Sequence, residues 1–95
     1  MRRAARIDTT AKNLIAAAKQ LGLTYVPVNG VFDGLLVLGE VVVICDWKTP
    51  GKAALTEGQG KLLASGVQIS FVSTIPQLEM LAARMRWLNT RRYGA

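Results

Sequence analysis

The chain has 95 residues, 51% of them hydrophobic, enough for one compact core and too few for two. Cys45 is the single cysteine and histidine is absent, which excludes intramolecular disulfides, thiolate zinc clusters, imidazole ligands and histidine acid–base catalysis. Twelve Lys+Arg against six Asp+Glu leave a net charge of +6, so a polyanion, nucleic acid foremost, is the expected partner, and a metal site would need oxygen donors of the kind that suit Mg²⁺ or Mn²⁺.

The basic start, with Arg2, Arg3 and Arg6, is not followed by an apolar stretch of signal-peptide type. With one unpaired cysteine, the expected location is the reducing cytoplasm. Ile7, Ala11, Leu14, Ile15, Ala18 and Leu21 recur at helical spacing between the start signals Asp8-Thr9-Thr10 and the stop signal Gly22. They predict a helix over 7–21. A short strand is expected at 25–28, closed by Pro27 and Asn29-Gly30. Residues 31–38 and 41–47 form two apolar runs joined by Gly39-Glu40, the composition of a two-residue type II′ hairpin turn. Val41-Val42-Val43-Ile44-Cys45 is apolar at every position, which predicts a central strand covered on both faces. A loop at 49–55 carries Pro50-Gly51 and Lys52. Thr56-Glu57-Gly58-Gln59 then opens a second helix that ends near Ser65-Gly66. Residues 67–73 alternate as a strand. A third helix starts at Pro76 with Leu78, Leu81, Ala82, Met85 and Leu88 on one face. The order αβββαβα predicts a single α/β domain over 1–95, with basic tails at about 1–6 and 90–95. Its mixed sheet is flanked by helices, and its last strand runs parallel to a central one.

The hairpin gives two of the three aspartates a geometric meaning. If Gly39-Glu40 is the turn, Leu38 pairs with Val41, Leu36 with Val43 and Leu35 with Ile44, and Asp33 lands opposite Asp46. Opposed like charges destabilise a sheet, so something must offset them. Lys48 shares a strand face with Asp46, and a divalent cation between the carboxylates would offset them more fully.

An aspartate ahead of a strand, a tight hairpin and then Asp46-Trp47-Lys48 resembles the PD-(D/E)xK nuclease superfamily, whose core also has the order αβββαβα. It looks closest to the small phage and bacterial VRR-NUC proteins described as Holliday-junction-resolvase-like. Gly30-Val31-Phe32-Asp33 stands where that family has Gly-x-Pro-Asp, Asp46-Trp47-Lys48 stands for Glu-x-Lys, and Leu55-Thr56-Glu57-Gly58-Gln59 matches Leu-(Ser/Thr)-x-x-Gln. Phe32 replaces a proline. The family usually places an acidic residue, commonly Glu, on the first helix. This helix has no Glu; Asp8 at its start is the counterpart, and Asn13, pointing away from the Ile7–Ala11–Ala18 face, is a poorer one. The similarity spans roughly residues 8–85.

The resemblance implies a restriction-endonuclease-like core and a Mg²⁺- or Mn²⁺-dependent DNA endonuclease. It would be structure-specific for branched or junction DNA, act in phage or bacterial replication or repair, and form a homodimer, in the bacterial cytoplasm if phage-encoded. Asp33 and Asp46 would hold the metal with the backbone carbonyl of Trp47 and, in one variant, Asp8. Lys48 would act on water and phosphate, and Gln59 would position them. Lys52, Arg2, Arg3, Arg6, Lys12, Arg84 and Arg91 are candidates for DNA contact. The alternative is a catalytically inactive nucleic-acid-binding module on the same fold.

Plainer readings stand beside these. Asp33 is also a common turn residue, Asp46 and Lys48 could form an exposed ion pair, and Asp8 could cap its helix. Gln59 divides evenly between the site and a capping box with Thr56. Trp47 is expected to pack on the sheet and Cys45 to be a buried small hydrophobe. On the third helix, Met80, Arg84, Trp87 and Arg91 make an outer stripe that suggests a contact surface for DNA or a second copy.

Overall fold

The computed structural model describes residues 9–51 and 54–92. Of the site candidates, Asp8, Arg2, Arg3, Arg6 and Lys52 lie outside the described residues. Seven elements follow one another: α1 (Thr9–Gln20), β1 (Thr24–Pro27), β2 (Gly34–Leu38), β3 (Val41–Trp47), α2 (Glu57–Ala64), β4 (Ser70–Val72) and α3 (Ile75–Arg92). The result is a small α/β domain with a four-stranded mixed sheet and three helices. The strands lie in the order β1-β2-β3-β4. The first three form an antiparallel meander, and β4 runs parallel to β3 through the α2 crossover.

Local chemistry sets the boundaries. Gly22 takes φ +85°, and Leu23 N–H reaches back to Ala18 O at 3.0 Å, so α1 closes in a left-handed cap that tucks Leu23 into the core. Thr56 caps α2 reciprocally with Gln59. Thr74 and Gln77 exchange comparable bonds at the start of α3. At the hairpin turn Gly39 has φ +62°. No non-glycine residue among those described has positive φ, so Glu40 completes a turn of the II′ kind. Leu38 pairs with Val41, Leu36 with Val43 and Leu35 with Ile44, the expected register.

Three expectations change. The strand expected at 31–38 begins only at Gly34, because the Val31 carbonyl accepts from Gln59 Nε2 and the Asp33 carbonyl accepts from Val28 N–H and the Tyr25 hydroxyl. The strand expected at 67–73 shrinks to three residues, since Val67 N–H is committed to Leu62 O at the end of α2. β3 is also not covered on both faces. Val41, Cys45 and Trp47 are buried against Leu14 and Ala18 of α1 and Leu78, Ala82 and Met85 of α3, whereas Val42 is 55% exposed on the other side.

On α3, Leu78, Ala82 and Met85 are buried as the periodicity predicts and Leu81 packs against them, but Leu88 is exposed. Met80 and Trp87 of the outer stripe are exposed as expected, with the Arg91 guanidinium 4.9 Å from the Trp87 ring centroid. Among the described residues no helix is long and apolar enough to cross a membrane.

Candidate active site at the margin of the hairpin

The last β2–β3 pair is Gly34–Cys45, so Asp33 and Asp46 face each other one step beyond the ladder. There the side chains take over from the missing backbone bonds. Asp33 N–H donates to Asp46 Oδ1 at 3.0 Å, and Trp47 N–H donates to Asp33 Oδ2 at 2.8 Å. Each carboxylate thus satisfies an amide of the opposing strand, which eases the repulsion that direct opposition would produce. The two are not equivalent, since Asp46 is 6% exposed while Asp33 reaches the surface.

Lys48, the residue that follows β3, completes the cluster beside Asp46. Its Nζ lies 3.1 Å from Asp46 Oδ2, donates to Gln59 Oε1 at 3.0 Å and to Ala54 O at 3.3 Å, and sits 5.3 Å from the centroid of the Phe71 ring. The exposed ion pair considered from sequence does not form here. Both partners are buried, so neither can be removed without leaving the other's charge in a dry setting.

Gln59 combines its two expected roles. Its backbone N–H donates to Thr56 Oγ1, its Oε1 accepts from both Thr56 N–H and Lys48 Nζ, and its Nε2 donates to Val31 O. One residue therefore caps α2, anchors the loop that leads to Asp33, and orients the lysine.

Charge at the site is raised in cost by its surroundings. Partial burial of the Asp33 carboxylate, together with the neighbouring Asp46, holds its pKa above the ordinary value near 3.8 despite the Trp47 amide and Lys48, which favour the ionised form. The residue as a whole is exposed, and the shift reflects packing around the carboxylate rather than burial of the residue. Burial, and then the two aspartates, push the Cys45 thiol far up, so it remains a neutral packing group.

Tyr25, Gly34 and Phe71 belong to the site although the sequence reading passed over them. The Tyr25 hydroxyl donates to Asp33 O at 3.0 Å, and its ring lies 5.5 Å from that of Trp47, centroid to centroid. That ring lies over Gly34, where a Cβ would meet Tyr25 Cε1 at 2.6 Å and the Val26 carbonyl at 2.5 Å. A glycine directly after an aspartate at the start of a strand is the signal that could have revealed this close approach. Phe71 pairs with Asp46 across the parallel β3–β4 ladder, a placement no local pattern announces.

The structure therefore joins Asp33, Asp46, Lys48 and Gln59. It does not bring Arg84 and Arg91 to them. Arg84 lines a cleft beside the first half of β3, and Arg91 stacks on Trp87 in the last turns of α3, whose Asn89 lies against the Gly39 turn. Lys12 is exposed on α1.

A hard divalent cation fits the donor set at the margin. The Asp33 and Asp46 carboxylates meet there beside the Trp47 backbone, an all-oxygen set once its carbonyl is included. No group of three or more His, Cys, Asp or Glu side chains gathers among the described residues, so water or substrate oxygens would complete the shell. No family model, curated protein or solved structure matches the chain.

Proposed function

We propose that the chain is a Mg²⁺- or Mn²⁺-dependent DNA endonuclease of the PD-(D/E)xK type, similar to the VRR-NUC proteins, with a restriction-endonuclease-like arrangement of its sheet. The observation that carries this reading is the meeting of Asp33, Asp46 and Lys48, backed by Gln59, at one margin of the sheet. The net charge of +6 suits a polyanionic substrate, and branched or junction DNA is the substrate class the resemblance implies.

In this mechanism Asp33 and Asp46 would hold the cation together with the Trp47 carbonyl. A bound metal would lower the pKa of a water and stabilise charge on the scissile phosphate. Lys48, a compact point charge, would face the developing negative charge on phosphate, and Gln59 would fix the direction in which the ammonium points. The chain is small for a duplex, and a homodimer would supply a longer contact surface.

A second reading, a nucleic-acid-binding module without cleavage, is favoured by one specific feature: α1 carries no acidic residue over Thr9–Gln20. Incubation with branched, nicked and linear DNA in Mn²⁺ separates the two. Cleavage that disappears in Lys48→Ala supports the nuclease, whereas binding without cleavage of any substrate leaves the module. The metal site can also be tested without substrate. Mn²⁺ at a hundred times its dissociation constant stabilises the folded protein by about 2.7 kcal/mol. The resulting rise in melting temperature should be lost in Asp33→Asn.

A further inference from the structure

Lys48 is held from all sides. An ammonium carries three N–H donors, and here three oxygens receive them: Asp46 Oδ2 at 3.1 Å, Gln59 Oε1 at 3.0 Å and Ala54 O at 3.3 Å. The residue is 8% exposed, and the Phe71 ring closes its remaining side. The aspartate it holds is equally committed, with Oδ1 taken by Asp33 N–H and Oδ2 by the ammonium. Asp46 is therefore neutralised from within the protein, and no donor of Lys48 is left for a phosphate or a water.

A magnesium-sized ion sits about 2.0–2.1 Å from its ligand oxygens. On Asp46 Oδ2 it would crowd an ammonium that already lies 3.1 Å from the same atom, in surroundings with little water to screen two cations. We propose that Lys48 and a divalent cation compete for Asp46 Oδ2. Lys48 serves as the resident counter-ion of the site, and metal entry releases its ammonium from Asp46 and frees an N–H donor. Gln59 limits how far the lysine travels, because its Oε1 stays in place through the capping box with Thr56. Release then leaves the ammonium tethered beside the metal position, with one donor aimed outward. Activation of Lys48 thus depends on metal binding, and the inference rests on the metal-site reading above.

The test uses Mn²⁺ alone. Isothermal titration calorimetry compares the wild-type chain with Lys48→Met, which keeps most of the stem and removes the charge. Competition predicts that Lys48→Met binds Mn²⁺ roughly tenfold more tightly. Should that variant fold poorly, acylation of the wild-type lysines read by mass spectrometry gives a second measure, with the exposed Lys61 as internal reference. Saturating Mn²⁺ should raise the labelling of Lys48 severalfold and leave Lys61 unchanged. If Lys48→Met binds Mn²⁺ no more tightly than wild type and Lys48 labelling does not respond to the metal, the competition is overturned while the metal site stands. No Mn²⁺ binding by either protein overturns both.

Discussion

At its last residues β3 has neighbours on both sides, with Cys45, Asp46 and Trp47 aligned against β4 and the Asp33 side chain bridging from the β2 side. Over its first four residues the same strand pairs only with β2. Its other edge borders a cleft of about 500 Å³ whose lining includes Val42, Gln68, Arg84 and Leu88. The difference comes from the length of β4, whose pairing with β3 begins only at Cys45. Concavity and chemistry are therefore separated in this molecule. The open end offers space with Glu40 as its one acidic side chain, and the closed end offers two carboxylates and a buried lysine with little space between them. Seven strand residues at about 3.3 Å each keep the two ends well apart.

Substitutions along this strand should read the contrast directly. Asp46→Ala removes the acceptor of both Lys48 Nζ and Asp33 N–H inside the closed end. It should cost about 3 kcal/mol, and at roughly 4–8 °C per kcal/mol the melting temperature should fall by more than about 10 °C. A loss under about 1 kcal/mol in urea unfolding would mean that the cluster behaves as a solvated surface pair. Gly34→Ala should cost about 2 kcal/mol, because its Cβ meets the Val26 carbonyl as well as the Tyr25 ring and backbone cannot swing aside. A chemical denaturation midpoint equal to that of the wild type would refute the close approach.

A smaller effect concerns pH. The folded protein holds the Asp33 proton more tightly than the unfolded chain does, so the stability Asp33 contributes is greatest below about pH 3.8 and is lost as pH rises through its folded-state value. Asp33→Asn should remove that part of the pH dependence. The readout is the difference between the two proteins' unfolding free energies as pH rises from 3.8 toward neutrality, and parallel curves would sink the assignment. The smallest change is expected at the open end. Val42→Thr, at a position 55% exposed, should stay within about 0.5 kcal/mol of wild type by thermal melting.

How far the site was legible depends on the range of the signal. A two-residue turn sets every pair in its hairpin, so the opposition of Asp33 and Asp46 could be read from Gly39-Glu40 alone. The Thr56–Gln59 capping box is equally local. The exchange of amides and carboxylates between the strands could not be read, because it depends on β2 beginning at Gly34, and that boundary is fixed by bonds from Tyr25, Val28 and Gln59. Nor does an unbroken run of β-branched residues reveal that Val42 faces outward, since that depends on α1 and α3 packing on the face that carries Val41, Cys45 and Trp47. The burial of Lys48 depends on Phe71 and Gln59, two residues from later elements.

The sequential meander also bears on how the molecule assembles. Asp33 and Asp46 are thirteen residues apart in the chain and Lys48 and Gln59 eleven, so both halves of the polar cluster arise from short loops with a small closure entropy. β4, by contrast, must wait for the whole α2 crossover before it can dock beside β3. Low contact order favours early formation, so the hairpin is expected to bring the carboxylates together in the folding transition state, with the β4 edge completed afterwards. Stopped-flow kinetics would report that order: truncating Leu36 to alanine should slow folding, and truncating Val72 should chiefly hasten unfolding. On this route the charge repulsion between the two aspartates is met by the nucleus itself, before Phe71 has arrived to enclose Lys48.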